Sequence, residues 1–327
     1  MPRTAPAAPA PSSASSTTPT TLHRRGRRAA TALASACTAL LLAVATAPAE
    51  AVGAPGGGYT GMGHCPLNST SMQDPSDLQV GCVVAVTRGG SFTIGSTTVP
   101  LTSPITLQFG VYWDKSAPQV TFPDGSTANQ YTTVAPAGAP LLSAQPAQIT
   151  IPGIVNFLPG ITSIFAQVEL AGQVKDFTPL AAGESYPVFK LPVKLHLFNA
   201  FFGDDCYIGS DSSPIVLAPT TGTTAPPPPA KPMTGDPGTI GVNPDPNGYG
   251  SLLASFTGAS LVDNTFTVPR ASGCGLGGSL DWIINLAMGL PAGAGNGSVS
   301  FLQTDTTLAL DTSISDLGAA MNASAGH

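Results

Sequence analysis

Alternation of apolar and polar residues is the clearest pattern along the chain, and residues 188–198 show it best. From Lys190 to Leu197 every second residue is aliphatic, and lysine, histidine or proline stands between them. Successive side chains of a strand point to opposite faces, so the pattern predicts a strand with one buried face. Pro192 cannot donate a backbone hydrogen bond to a neighbouring strand, and it therefore predicts an edge position.

Comparable segments rich in Val, Ile, Thr and Phe recur between glycine and proline residues. They lie at 82–88, 92–99, 105–112, 148–151, 163–170, 252–257, 265–268, 298–303 and 307–310. The run Arg88-Gly89-Gly90-Ser91 stands between the first two segments and predicts a hairpin turn. Short strands at such spacing are typical of sandwiches and barrels, so we expect a mainly β fold with an antiparallel, sandwich-like body.

One segment near the C-terminus carries a helical pattern instead. Ser279 can cap a helix, Asp281 suits its first turn, and Gly289 followed by Pro291 can end it. The apolar residues between them recur at helical spacing, which predicts a short helix at 280–289. We expect its apolar stripe to contact the core, and a stripe that binds lipid or a partner is the alternative.

A threonine- and proline-rich tract at 219–238 interrupts the strand pattern. It contains Pro226 to Pro229 in succession, and such a run favours an extended, semi-rigid chain. The tract separates a β-rich domain at 52–218 from a smaller β-rich part at 239–327. It is either a linker or a strap across one body, and a disulfide between the two parts would favour the strap.

Composition narrows the possible functions. Charged residues make up 9% of the chain, against roughly 25% in typical soluble domains, and the formal net charge is -6. A basic surface for nucleic acid is therefore excluded. The apolar fraction of 42% is high enough for the chain to bury a core and fold.

The N-terminus has the three zones of a secretory signal. A polar, disordered leader is followed by a basic cluster at 23–28, an uncharged stretch at 29–49 and a small-x-small end at Ala49-Glu50-Ala51. We expect residues 1–51 to be leader plus signal peptide, and a start at Leu22 would leave a signal of ordinary length. A retained membrane anchor is the alternative. Cleavage predicts a secreted or cell-envelope protein without a further transmembrane helix.

Four cysteines remain after the signal is removed, namely Cys65, Cys82, Cys206 and Cys274. An even number in an oxidising compartment predicts two disulfides, and three pairings are possible. We favour Cys65 with Cys82, which flank a turn-rich segment, and Cys206 with Cys274. The spacing between the cysteines does not match a zinc site.

Few residues of the chain could form a catalytic triad. After removal of residues 1–51, His64 and His196 are the only histidines that a serine hydrolase could use, apart from the C-terminal one. The sequence Gly183-Glu184-Ser185-Tyr186-Pro187 fails the nucleophile-elbow pattern at its last position. An unrecognised hydrolase is therefore the weakest functional hypothesis.

Carboxylate and metal chemistry have equally little support. The segment 243–248 imitates the start of an EF-hand loop, but its twelfth position is Ala254, which has no carboxylate. Only Glu169 and Glu184 remain as glutamates for glycoside chemistry. We assign no catalytic, cofactor-binding or metal-binding residue and expect no cofactor.

A family resemblance covers about the last 130 residues. The run Cys206-Tyr207-Ile208-Gly209-Ser210, with the threonine and proline runs that follow it, resembles a family of uncharacterised exported proteins of actinobacteria. Gly273-Cys274-Gly275 and Gly289-Leu290-Pro291 are similar to the C-terminal part of that family. The resemblance implies secretion or residence in the envelope, and it implies no reaction.

These observations favour a secreted or envelope-associated structural or binding module that is not an enzyme. Its ligand and partner are unknown. The alternative is an extracellular carrier of an apolar small molecule, held between sheets or under residues 280–290, since the chain is unusually apolar for an exported one. A cavity of several hundred cubic ångströms would favour the carrier, and an exposed apolar or aromatic patch over a filled core would favour the module.

Overall fold

The structure, a computed structural model, describes residues 54–154, 163–245 and 251–325. The predicted leader and signal peptide at 1–51 lie outside these ranges. Within them the chain is mainly β, and all strand pairs between the named strands are antiparallel.

The strands are short except for three long ones, β1, β14 and β16. In chain order they are β1 (Asp77–Ile94), β2 (Thr97–Pro100), β3 (Ile105–Asp114), β4 (Gln119–Thr121), β5 (Thr127–Asn129), β6 (Thr132–Val134), β7 (Leu142–Ser143), β8 (Ala147–Ile149), β9 (Ile164–Leu170), β10 (Leu191–Phe198), β11 (Tyr207–Ile208), β12 (Ile215–Leu217), β13 (Thr239–Pro244), β14 (Leu252–Asp263), β15 (Ala271–Ser272) and β16 (Gly297–Asp311). The helices are α1 (Asp281–Met288) and α2 (Ile314–Ser324), and single 3₁₀ turns lie at Gly57–Tyr59, Thr70–Met72, Pro179–Ala181 and Leu276–Gly278.

Two sheets form the body of the protein. The large sheet has the order β13-β14-β16-β1-β3-β6, with β2 paired to β1 and β7 paired to β3. The small sheet has the order β15-β11-β10-β9-β8, with β12 paired to β10. A separate two-stranded sheet joins β4 to β5.

The two larger sheets share one apolar core. Val83, Phe109 and Leu308 of the large sheet belong to the same buried cluster as Leu195 and Ile208 of the small sheet. Because alternate residues of each strand enter this cluster, the sheets pack as a sandwich. The predicted fold class, a mainly β protein with an antiparallel sandwich-like body, is confirmed.

A second core lies on the other face of the large sheet. Cys82 and Ala309 alternate with the residues that face the small sheet, and they contact Tyr59 and two residues of α2, Leu317 and Met321. The central strands of the large sheet are therefore buried on both faces. The N-terminal turn and the C-terminal helix supply the third layer.

Two disulfides join the pairs that the sequence analysis favours. Cys65 is bonded to Cys82 with their Cα atoms 5.8 Å apart, and Cys206 is bonded to Cys274 with a Cα separation of 4.2 Å. The first bond fixes the N-terminal segment to β1. The second fixes the start of β11 to the segment before α1, across the threonine- and proline-rich tract.

The tract itself is hydrogen-bonded to the sandwich. Backbone bridges join Thr220 to Val262 and Asp236 to Ser260, and the hydroxyl of Thr224 donates to Oδ1 of Asn264 at 2.7 Å. The large sheet also takes strands from both sides of the tract, since β1 pairs with β16. The predicted boundaries at 52–218 and 239–327 stay a prediction.

The predicted helix at 280–289 is α1, but the predicted cap at Ser279 is wrong, because the helix begins after Leu280 and has no side-chain cap hydrogen bond. Asp281 accepts a hydrogen bond from the Cys274 amide at 2.7 Å, and Gly289 ends the helix in the left-handed conformation with φ 70°. The sequence pattern did not predict α2. Neither helix is long and apolar enough to cross a membrane, nor is any other helix in the described ranges.

The predicted hairpin at Arg88-Gly89-Gly90-Ser91 is wrong. β1 continues through these residues, and the two-residue turn lies at Gly95 and Ser96 instead. Val83 and Phe92 enter the same core although they are nine positions apart, so the strand changes its inward side between them. Gly90, with φ 118°, stands where this change occurs, and a Cβ there would overlap the Ser300 carbonyl oxygen.

Three other strand predictions need correction. Residues 298–303 and 307–310 are parts of one strand, β16, and residues 265–268 contribute only a single bridge at Val268. β10 is an interior strand, paired with β9 on one side and with β11 and β12 on the other. Pro192 lies one residue beyond the β9 ladder, which begins at Val193, and its carbonyl still accepts a hydrogen bond from the Ala171 amide at 3.0 Å.

Gly90→Ala should lower the free energy of unfolding by about 4 kcal/mol or prevent folding, because the new Cβ meets backbone in a conformation that L-residues avoid. Gly125→Ala is the matched control, since Gly125 has φ 84° but no atom within 4 Å of the added Cβ. It should cost only about 1 kcal/mol. Urea denaturation measures both variants, and equal losses would contradict the role given to Gly90.

Candidate functional site

An apolar cavity lies between the two sheets. Val83 and Phe109 line it from the large sheet, Val168 and Leu191 line it from the small sheet, and its volume is about 70 Å³. Ligand pockets usually measure roughly 300–1,000 Å³, so this space is too small for a ligand of ordinary size. The core between the sheets is therefore nearly filled.

The larger clefts among the described residues are open and of mixed polarity. One of about 660 Å³ lies beside the C-terminal end of α1, where Ser96, Lys231, Asn296 and Met288 contribute to its walls. Another of about 590 Å³ lies beside β6. Neither is the enclosed apolar space that a carrier of a small apolar molecule needs.

The outer face of the small sheet brings together a histidine and a carboxylate. Nδ1 of His196 on β10 lies 3.1 Å from Oε1 of Glu169 on β9. A carboxylate only accepts hydrogen bonds, so Nδ1 donates. The His196 ring is 8% exposed and lies between Phe198, whose centroid is 3.8 Å away, and Tyr207, whose centroid is 4.2 Å away.

His196 and Glu169 are hydrogen-bonded like the histidine and the carboxylate of a catalytic triad. A nucleophile at the other imidazole nitrogen is missing among the described residues. A triad needs a serine hydroxyl at the second imidazole nitrogen. Nε2 of His196 is buried and has no hydrogen-bond partner among the described residues. The other candidate, His64, contacts the backbone carbonyl of Ala137 through Nδ1 at 2.9 Å. No serine that the structure describes is hydrogen-bonded to either histidine.

Charged groups hold the rings of this face in place. Nζ of Lys194 lies 5.0 Å from the centroid of the Tyr207 ring and donates to Asp211 at 2.9 Å. The hydrogen bond to Asp211 raises the pKa of Lys194. Burial raises the pKa of Tyr207, and the negative charge of Glu169 raises it further. The rings and charges therefore form one connected cluster.

The second candidate surface is the solvent side of α1 and the turn before it. We name it the α1 patch and define it as Leu276, Trp282 and Leu286, which are 96%, 59% and 63% exposed. The opposite side of the helix buries Ile283, Ile284 and Met288 in the core. The predicted core stripe is thus present, and further apolar side chains face the solvent.

The helix that carries the α1 patch is firmly seated. The side-chain amide of Asn285 accepts from the Ala271 amide at 2.7 Å and donates to the Ala271 carbonyl at 3.0 Å, so it closes a two-bond contact with β15. Asp281 bonds the backbone of disulfide-linked Cys274. The exposed side chains therefore project from a rigid support.

Metal and cofactor positions were not assigned from the sequence. Within 54–154, 163–245 and 251–325 no three His, Cys, Asp or Glu side chains are grouped so that they could hold a metal ion. The four cysteines for which disulfides were predicted all form them. Sequence reasoning placed His196 and Glu169 on strands, but it could not show that these strands are neighbours.

Comparison with models of protein families, with curated proteins and with solved structures finds no match for this chain. The resemblance to exported actinobacterial proteins stays a prediction.

A buried polar cluster joins the N-terminal turn to the large sheet. The hydroxyl of Ser251 donates to Oδ2 of Asp311 at 2.5 Å, and Tyr59 is fully buried beside them. Asp245, from the segment compared with an EF-hand, is also buried here, and residues 246–250 lie outside the described ranges. Burial, together with the charges of Asp245 and Asp311, raises the pKa of Tyr59 to about 12.

The raised pKa of Tyr59 predicts a loss of stability in alkali. An unfolded tyrosine ionises near pH 10, so the contribution of Tyr59 is complete below pH 10 and declines as the pH rises through about 12. The loss should reach about 3 kcal/mol. Urea denaturation of the wild type and Tyr59→Phe between pH 8 and pH 12 measures it. The wild type should lose more free energy of unfolding than the variant above pH 10, and parallel curves would contradict the assignment.

Proposed function

We propose that the mature chain is an exported, non-enzymatic binding module of the cell envelope, and that it binds its partner through the α1 patch. One observation carries this proposal: Trp282 and Leu286 on α1, and Leu276 in the 3₁₀ turn before it, are exposed apolar side chains, whereas the core between the sheets is nearly filled. Exposed apolar groups of this kind mark interaction sites, and tryptophan is enriched where binding energy concentrates.

Export is supported by two features. The N-terminal pattern is that of a secretory signal, and the four remaining cysteines form disulfides, which persist in oxidising compartments. The resemblance to exported actinobacterial proteins points the same way. Export places the α1 patch where it can meet the envelope.

The competing hypotheses have weaker support. A carrier needs an enclosed apolar space, and the cavity between the sheets is about 70 Å³. A hydrolase needs a nucleophile at Nε2 of His196, and that nitrogen has no partner among the described residues. The binding module requires neither feature.

Export predicts the mass of the protein recovered from the culture medium of the producing cells. The chain should begin after Ala51 and should be lighter than the reduced form by the four hydrogens that two disulfides remove. Intact-mass spectrometry with and without reduction measures both properties. Recovery of the full-length chain from the cytosol with free thiols would contradict export.

Binding through the α1 patch predicts a selective loss on mutation. The double variant Trp282→Ala/Leu286→Ala should bind envelope fragments of the producing cells at least tenfold more weakly than the wild type, because truncation of central apolar side chains removes most of the binding energy. Co-sedimentation of the purified mature protein with the fragments gives the dissociation constants.

Leu180→Ala is the matched control, because Leu180 is also apolar and 66% exposed but lies outside the α1 patch. It should bind like the wild type. All three side chains are exposed, so the variants should unfold at the same urea concentration as the wild type. Equal binding by all proteins, or no sedimentation of the wild type, would overturn the proposal.

A further inference from the structure

The outer face of the small sheet is a second surface, and its chemistry differs from that of the α1 patch. Phe165 is opposite Phe198 in the β9–β10 pairing, and Tyr207 is opposite His196 in the β10–β11 pairing. Residues directly opposite each other share one face of a sheet, so these four rings lie on the same side. Phe165 is 40% exposed, which shows that this side is open to solvent.

The rings are fixed before any ligand arrives. The His196 ring is stacked on Tyr207 and tilted against Phe198, and the ammonium of Lys194 lies 5.0 Å from the centroid of the Tyr207 ring. Glu169 holds the imidazole at Nδ1. Aromatic groups that are already ordered lose little conformational entropy on binding, and this lowers the free-energy cost of a complex.

Polar groups lie among the rings. Gln167 is opposite His196, Ser272 is opposite Tyr207, and Glu169 is opposite Lys194. Lys194 and Glu169 carry opposite charges, and each is paired, Lys194 with Asp211 and Glu169 with His196. The face therefore offers hydrogen-bonding groups and ring surfaces, and both of its charged side chains already have a hydrogen-bond partner.

We propose that this face, defined by Phe165, Gln167, Glu169, Lys194, Phe198 and Tyr207, binds a neutral carbohydrate chain. A sugar ring presents C–H groups on its faces and hydroxyls around its edge, which matches rings with polar groups between them. A purely apolar ligand would bury the side-chain oxygens of Gln167 and Glu169 without offering them a hydrogen bond, at a cost in free energy. An anionic ligand would meet Glu169 and Asp211, and the one ammonium is already paired.

The dimensions favour a chain over a single sugar. Strands β9, β10 and β11 are consecutive in the small sheet, and two strand spacings amount to about 10 Å. A face of that width spans more than one sugar ring. The sheet is open on this side at Phe165, at Val216 on β12 and at Ser272, so a polysaccharide can pass across it without ending there.

The test is electrophoresis of the mature protein in native gels that contain laminarin, xylan or galactomannan, followed by calorimetric titration with the polysaccharide that retards it most. At least one should retard the wild type. Phe165→Ala and Tyr207→Ala should each weaken binding at least tenfold, because stacking on the rings is lost. Tyr207→Phe keeps the ring and should stay within about threefold of the wild type, which separates loss of the ring from loss of the fold.

Val216→Ala is the matched control, since Val216 lies on the same outer face and is 44% exposed but has no ring. It should bind like the wild type. Binding should also change less than twofold between 0.05 and 0.5 M NaCl, because a neutral ligand leaves no charge to screen. Trp282→Ala/Leu286→Ala should bind polysaccharide normally, so this result is independent of the envelope assay.

Several results would overturn the proposal. These are no retardation of the wild type by any of the three polysaccharides, binding that Phe165→Ala and Tyr207→Ala leave unchanged, and binding that falls steeply with salt, which would indicate an anionic ligand. Binding that is lost only in Trp282→Ala/Leu286→Ala would assign the carbohydrate to the α1 patch and would also overturn the proposal.

Discussion

The pairing of β1 with β16 is the interaction on which the rest of the structure depends. Fourteen residue pairs join the two strands, from Val80 with Asp311 to Ile94 with Gly297. Alternate positions of this ladder supply both cores: Val83 and Leu308 face the small sheet, and Cys82 and Ala309 face α2 and the N-terminal turn. Without the β1–β16 pairing, the large sheet would lose its centre, and the N-terminal turn and α2 would have no sheet surface to pack against. Gly90 matters because it lets the strand change its inward side within this ladder.

Local patterns in the sequence predicted the elements better than their arrangement. The alternation around Leu195 and the apolar stripe of α1 were sufficient to place a strand and a helix, because both signals are contained in the segment itself. The Gly89-Gly90 pair was ambiguous, since glycine serves equally in a turn and in a distorted strand. α2 was overlooked because alanine, glycine and serine give it a weak apolar stripe, although Ser313 caps it and Leu317 and Met321 follow helical spacing. The neighbourhood of His196 and Glu169 depends on strand order, which no local pattern encodes.

The two proposed surfaces are connected by one covalent bond. Cys206 immediately precedes Tyr207 on the ring-bearing face, and Cys274 stands before α1, where its amide is bonded by Asp281. The threonine- and proline-rich tract lies between these two cysteines in the sequence. Several of its threonines are buried, and the Thr224 hydroxyl is hydrogen-bonded to the sandwich. Rings that must stay stacked and a helix that must keep apolar groups in water both need a rigid support. The disulfide between Cys206 and Cys274 supplies a rigid support to the ring-bearing face and to α1.

The position of β16 also decides when the protein can fold. Its partners β1 and β14 are complete long before residue 297 is made, yet one side of β1 has no other strand to pair with along most of its length. During synthesis from the N-terminus, this edge of β1 stays unpaired until residues 297–311 of β16 have been made. Contacts of such sequence separation make folding slow and leave unpaired edges that attract other chains. Vectorial synthesis therefore delays the ladder on which both cores depend until β16 itself has been made.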